Sequence, residues 1–345
     1  MSHRDFVIGA IAAAATASGA FASSSPLSNW NLITRSYVTS SSEVDGSALI
    51  GGYLDGGASN YAIHGLTDAG GVGLAVGGNI NGGPKSVNAG SLRYGGSLNT
   101  IVNMNGGGMQ ITDNTVASQA AAAMNTVSGI SMFLAGLSAN STMDGGGNLN
   151  ATPTLIDGQL VAVFNISAAS VQSLGQLNLH IGTAQSVIIN MPSAGGLVDL
   201  QGAPNIIGDF SKANSSRILW NFFDASSVLV NNSFRGALVA PNAALQVLGG
   251  GIDGSVAVDR ITAQNAEIRS SVYTGYIPAP GAASLCVLAG AVGFCSWNMS
   301  SNLSVVGPSI AAASPASLVF ATIHPASAMD GAIGSAGLDS ARVAL

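Results

Sequence analysis

The sequence is short of the residues from which active sites are built. Of 345 residues, 8% are charged and 6% aromatic, with four histidines and two cysteines, where soluble proteins carry about a quarter charged. Ten Lys+Arg against sixteen Asp+Glu exclude a sequence-independent nucleic-acid binder, which must neutralise many phosphates. Both cysteines, Cys286 and Cys295, fall in one apolar segment near the C-terminus, so the rest of the chain must be stabilised by packing and hydrogen bonds instead of disulfides. Mean hydropathy is positive, yet no unbroken apolar run reaches the eighteen residues of a confident membrane span. Phosphate loops, Gly-x-Ser-x-Gly elbows and His-Glu-x-x-His pairs are missing as well. His64 and His180 sit in alternating contexts without a second ligand at metal spacing, and Asp55-Gly56-Gly57 and Asp144-Gly145-Gly146-Gly147-Asn148 read as turns, lacking a calcium-loop ligand series. The sequence therefore predicts no catalytic residue, metal or cofactor, and no enzyme.

What is abundant is glycine, 46 residues, within a composition that is 47% hydrophobic. The chain opens with a short charged head (His3, Arg4), an apolar run from Phe6 to Ala15, and small residues ending Ala20-Phe21-Ala22. This is the pattern of a secretory signal peptide, residues 1–22, cleaved after Ala22. The head resembles a twin-arginine signal in which His3 occupies the first arginine position.

The body, 23–276, repeats itself. Leu74-Ala75-Val76-Gly77-Gly78 superposes on Leu92-Arg93-Tyr94-Gly95-Gly96 at an offset of eighteen, and Phe234-Arg235-Gly236-Ala237-Leu238 on Ile252-Asp253-Gly254-Ser255-Val256 at the same offset, with Val44-Asp45-Gly46-Ser47-Ala48 as a third copy. Short alternating runs beside glycine are strands joined by tight turns. Coils of roughly eighteen to twenty-five residues fit an all-β solenoid, like a parallel β-helix, whose rungs stack along an axis in the order of the chain. On that order the coils after Ser216 form one end of the stack. A glycine-rich β-sandwich is the alternative. One segment departs from the β pattern: over 116–139, Val116, Ala120, Ala123, Val127, Ile130, Leu134 and Leu137 recur at spacings of three and four, predicting a long amphipathic helix capped by Asp113 or Asn114 and packed along the solenoid.

Ser216-Arg217-Ile218-Leu219-Trp220-Asn221-Phe222, with Gly236-Ala237-Leu238-Val239-Ala240-Pro241-Asn242-Ala243 and Ile252-Asp253-Gly254-Ser255-Val256, resembles the C-terminal half of the choice-of-anchor A domain of secreted bacterial surface proteins. Ala75-Val76-Gly77-Gly78-Asn79-Ile80 and Val161-Ala162-Val163-Phe164-Asn165-Ile166 match the same family in the same order, and coverage runs from about Asn31 to Ser270. Read from the residues, Leu219 and Phe222 enter a core, Asn221 bonds locally, and Pro241-Asn242 sets a corner between rungs. Trp220 and Ala240 complete the two motif blocks. Pro278-Ala279-Pro280-Gly281 and the apolar run to Trp297 resemble a PEP-CTERM sorting signal, which implies an exosortase-like enzyme as partner. The basic cluster that closes the family pattern is missing: 298–345 is a low-complexity tail with no Lys or Arg before Arg342.

These features predict a non-enzymatic protein that is secreted to the cell surface or extracellular matrix, transiently anchored by its C-terminal apolar segment. It would be a rigid scaffold with an adhesive or structural role toward extracellular polysaccharide or neighbouring surface proteins. The last rungs also resemble ice-binding β-solenoids, which keeps flat-face binding of polysaccharide or ice as the alternative, although the rungs carry no Thr-x-Thr ladder and Thr262 stands alone in the last one. Cleavage after Ala22 predicts that the exported protein begins at Ser23. N-terminal sequencing of secreted material tests this, and a retained Met1 would overturn it.

Overall fold

A computed structural model describes residues 25–278 apart from Asp68, Gln201 and Ala203. The signal-peptide segment with Ala20 and Ala22, the motif residues Ala279, Pro280 and Gly281, the apolar run and the tail lie outside the described residues.

The body is a parallel β-solenoid with three faces. On the first, strands lie in the order Gln110–Thr112, Ser91–Tyr94, Val72–Val76, Ala48–Ile50, Leu32–Thr34, Val256–Gln264, Ala237–Val247, Ile218–Asn221, Ser186–Asn190, Gln159–Asn165 and Thr154–Ile156. Every neighbouring pair is parallel except the last. Val256–Gln264 and Ala237–Val247 bend onto the second face, where their distal halves join Val38–Ser40, Leu54–Asp55, Ser227–Val230 and Leu197–Leu200. The third face carries seven short parallel strands from Val102–Met104 to Phe234–Arg235. Stacked parallel coils exclude the sandwich, which needs two sheets of mainly antiparallel strands packed face to face.

The register reproduces the eighteen-residue offset: Leu74 pairs with Leu92, Leu238 with Val256 and Phe234 with Ile252. The glycines beside these runs sit where one coil's backbone lies on the next. A Cβ on Gly254 would stand 2.2 Å from the Gly236 carbonyl oxygen, and one on Gly95 2.5 Å from that of Gly77. Other coils vary in length, from the sixteen residues between paired Leu32 and Ala48 to the thirty-one between Val187 and Ile218.

Spatial order departs from chain order. The chain starts in the middle of the stack at Leu32–Thr34 and climbs to one end at Gln110–Thr112. The helix Val116–Ala135 then runs back along the first face, and the chain climbs from the opposite end until Val256–Gln264 closes against Leu32–Thr34. The coils after Ser216 are therefore interior, not terminal as sequence order implied, because the first strand offers its open edge to the last coil. The third repeat copy explains itself here: Ile268 lies between Ile252 and Val44, and Leu32 between Val256 and Ala48.

Alternation fills the interior. On the second face Val198, Val228, Leu245, Ile261, Val38, Leu54 and Ile80 form one in-register buried column. The wider coils are packed by Phe210, Trp220, Phe222 and Phe234, with ring centroids 5.2–6.4 Å apart, and the Trp220 indole N–H donates to the Arg235 carbonyl at 2.9 Å.

The helix explains why first-face strands are apolar on both sides. Leu32, Leu74 and Leu238 point inward, while Ile33, Ala75 and Val239 form a second layer with Val116, Ala120, Met124, Val127 and Leu134 of the helix. Ala123 and Ile130, expected in the stripe, are only partly buried beside it. The helix ends at Ala135, short of the expected 139, because Gly136 caps it. Its N-cap is Thr115 and not Asp113 or Asn114; the Asp113 carboxylate instead accepts the Thr115 amide at 2.9 Å and hydroxyl at 2.6 Å. Those bonds, with Arg93 nearby, hold the Asp113 carboxyl below the usual carboxylate range.

The closure is stitched by polar side chains. Buried Asn31 donates to the carbonyls of Gly254 at 3.0 Å and Arg269 at 3.1 Å and accepts from the Gly46 amide at 2.9 Å. Asp45 accepts the Ser270 amide at 2.9 Å, and Gln264 donates to the Glu43 carbonyl at 2.9 Å. Asn31→Ala strands two buried backbone groups and a third that is half-buried and is expected to cost about 3 kcal/mol, measured by chemical denaturation. Leu238→Asp, at a fully buried site, is expected to cost about 4 kcal/mol, and a wild-type melting temperature would place Leu238 outside the core.

Candidate functional site

The three faces differ in what they leave open. The helix covers the first, contacting seven strands from Val72–Val76 to Ser186–Asn190. The third is narrow and holds a charged row: Arg235, Asp253 and Arg269 are in register. Asp253, 1% exposed, pairs with Arg235 and lies 3.7 Å from Arg269. Burial, with Arg269 beside it, holds the Arg235 guanidinium below its ordinary value. Such a compensated row is structural, since the desolvated carboxylate would otherwise be costly.

The second face is open along most of the stack. Ser227, Leu229, Ala244, Gln246 and Thr39 alternate outward between buried neighbours, and Thr262 sits beside half-buried Ala263 where the register shifts. At the corner with the first face, the Tyr37 and Tyr53 rings stack with centroids 4.8 Å apart and planes 2° from parallel. That is the inter-coil spacing itself. The Tyr37 carbonyl accepts from Ile261, that of Tyr53 from Val38, that of Asn79 from Leu54 and that of Ser97 from Ile80, so these corner residues form one row. Asn99 donates to Asn81 at 2.8 Å, extending a polar row beside it. Arg260, joined to Asp259, and Asp55 supply charge to the same surface.

Of the residues singled out by sequence, Trp220 and Phe222 lie inside the solenoid and Leu219 in the helix-facing layer. Asn221 does not bond locally. Its amide donates to the Ser131 carbonyl at 2.8 Å and to Asn190 at 2.9 Å, and its oxygen accepts the Ser131 hydroxyl at 2.6 Å, ninety residues away in sequence. Asn165, Asn190 and Asn221 are in register, and Asn190 and Asn165 reach the carbonyls of Leu134 and Leu137. This asparagine ladder satisfies the end of a helix that carries no basic residue in its last turn. Pro241 and Asn242 lie within the strand Ala237–Val247, where the register shifts between Ala240 and Ala244 and the chain bends from first face to second. Pro278 is buried at the edge of the body, and Ile277 before it packs in the helix-facing layer.

Among the described residues there is no group of three or more His, Cys, Asp or Glu that could hold a metal. His64 is exposed, 3.9 Å from Asp45, and His180 meets Asn178 at 3.0 Å. Asp144 closes its glycine turn by accepting the Gly146 and Asn148 amides, each at 2.9 Å. The tyrosine stack was not found from sequence because its partners are sixteen residues apart, off the eighteen-residue offset, although Val38 and Leu54 beside them share that spacing. Asn221→Leu is expected to cost about 3 kcal/mol by leaving the Ser131 and Asn190 groups unpaired, with thermal unfolding as the measurement.

No curated protein matches the chain. Among solved structures it is similar to an ice-binding protein from an Antarctic biological consortium, at 16% identity and TM-score 0.30 over 71% of this chain and 87% of that one. It is also similar to one from the Antarctic ascomycete Antarctomyces psychrotrophicus, at 14% and 0.31 over 73% and 97%, and to a glycosylated one from an Arctic yeast, at 14% and 0.30 over 74% and 94%. A family model described as "Putative Ice-binding-like adhesive domain" matches residues 23–270, the whole stack of coils together with its helix, and the chain belongs to that family.

Proposed function

We propose that the protein is a non-enzymatic adhesive scaffold that holds extended polysaccharide on its second face. The observation that carries this reading is the open face itself, with outward groups repeating at the coil spacing from Ser227 to Asn99 around the Tyr37–Tyr53 stack. A rigid row of hydroxyls, amides and a tyrosine pair meets successive units of a long polar chain without paying ordering entropy at each contact. Membership of a family described as adhesive supports the same reading.

Ice is the weaker target. An ice surface calls for a flat row of like groups, whereas one row here mixes Arg260, Tyr37, Tyr53 and Asn79 and the next pairs Thr39 with Asp55, with Thr262 a further dispersed threonine. We further propose that the protein is exported by the signal sequence ending at Ala22 and handled at Pro278-Ala279-Pro280-Gly281 by an exosortase-like enzyme at the cell surface. The choice-of-anchor A and PEP-CTERM resemblances of the sequence support this.

The test is adhesion of the full chain to immobilised polysaccharides and to whole cells. Tyr53→Ala with Asn79→Ala is expected to weaken retention at least tenfold with the melting temperature unchanged, while Met132→Lys, on the exposed side of the helix, leaves it intact. Equal retention by the face variant and the helix variant would sink the proposal.

A further inference from the structure

Away from the second face, an open cleft of about 440 Å³ lies beside the strands Gln159–Asn165 and Ser186–Asn190, and Gln159, Gln185, Ser216, Arg217, Thr274 and Tyr276 line it. It is built by the last described segment of the body folding back on the coil: the Thr274 and Gly275 amides donate to the Ser216 carbonyl at 2.8 and 3.1 Å, and the Tyr276 amide donates to the Ser186 hydroxyl at 2.5 Å. The Tyr276 hydroxyl is held by Asp157 at 2.7 Å, and Gln185 is fixed by accepting the Leu160 amide at 2.8 Å.

The chemistry of the lining is specific. Arg217 donates to the Ala184 carbonyl at 3.2 Å and to the Asn214 side chain at 2.7 Å. Both partners are neutral, and among the described residues no carboxylate pairs with it, in contrast to Arg235, Arg260 and Arg269. The result is a fixed guanidinium with unspent charge, in an open concavity with the Gln159 and Gln185 carboxamides and the Ser216 and Thr274 hydroxyls. A ligand with one carboxylate and many hydroxyls matches the guanidinium through charge-assisted hydrogen bonds and the amides and hydroxyls through ordinary ones, and an open cleft admits one or two units of a longer chain.

We infer that this cleft is a binding subsite for an acidic glycan, a chain bearing uronic acid units, with Arg217 taking the carboxylate. The site is separate from the second face and does not depend on the reading given to that face.

Calorimetric titration of the full chain with a galacturonate tetramer tests it, with a neutral cellotetraose and an acidic peptide of equal charge as comparisons. Binding of the galacturonate tetramer is expected, weakened at least tenfold in Arg217→Gln and in Thr274→Trp, which fills the mouth of the cleft, and unaffected by Tyr53→Ala with Asn79→Ala on the second face. Should Arg217→Gln fail to fold, Thr274→Trp decides. Absence of binding, equal binding in the folded cleft variants, or preference for the neutral tetramer or the peptide would each overturn the assignment.

Discussion

The structure depends on one pairing, between Leu32–Thr34 and Val256–Gln264. Residues more than two hundred positions apart become neighbouring rungs, and everything else follows from making that junction continuous. The interior columns run through it without a break: Val256 meets Leu32, Ile261 meets Val38 and Ile268 meets Val44. Because both halves of the chain advance along the axis in the same direction, the joint is parallel like every other rung pair around it. The polar stitches of Asn31, Asp45 and Gln264 then fix the register, which matters in a sheet where a one-residue slip would turn the apolar set outward.

The helix is the second consequence. A body whose first and last described coils meet in the middle of the stack has to return along the axis once without forming rungs. Val116–Ala135, about 30 Å long at 1.5 Å per residue, spans the seven strands it touches, which at about 4.8 Å each occupy nearly the same distance. Its return leg buries the outer side of the first face, leaving the second and third faces to differ in chemistry. Charge compensation closes the third row, whereas the outward groups of the second remain available.

Much of this was legible in the sequence for a local reason. The eighteen-residue offset exists because neighbouring coils stack residue on residue, and glycine marks it because the backbones touch at Gly236 and Gly254. The helix stripe was legible because it faces a flat apolar layer. The order of the coils was not legible, since the pairing of Leu32 with Val256 is set by an open strand edge and leaves no short-range pattern. Asn221 was misread for a related reason: asparagine in a β run usually bonds within its own turn, and only the helix overhead shows that its partners are Ser131 and Asn190. The lone charge of Arg217 is likewise a matter of which carboxylates fold near it.

The helix also constrains how such a molecule can change size. One additional coil lengthens the stack by about 4.8 Å, which a helix matches with about three residues, and three residues leave the helix some 60° short of a full turn. Val127 and Leu134 would then swing off the sheet and the asparagine ladder would lose Ser131 and the Leu134 carbonyl. Two coils together call for about six residues, which leave the stripe about 120° short of its starting phase. The helix is therefore the ruler of the scaffold: added coils re-phase the stripe that holds the helix to the first face.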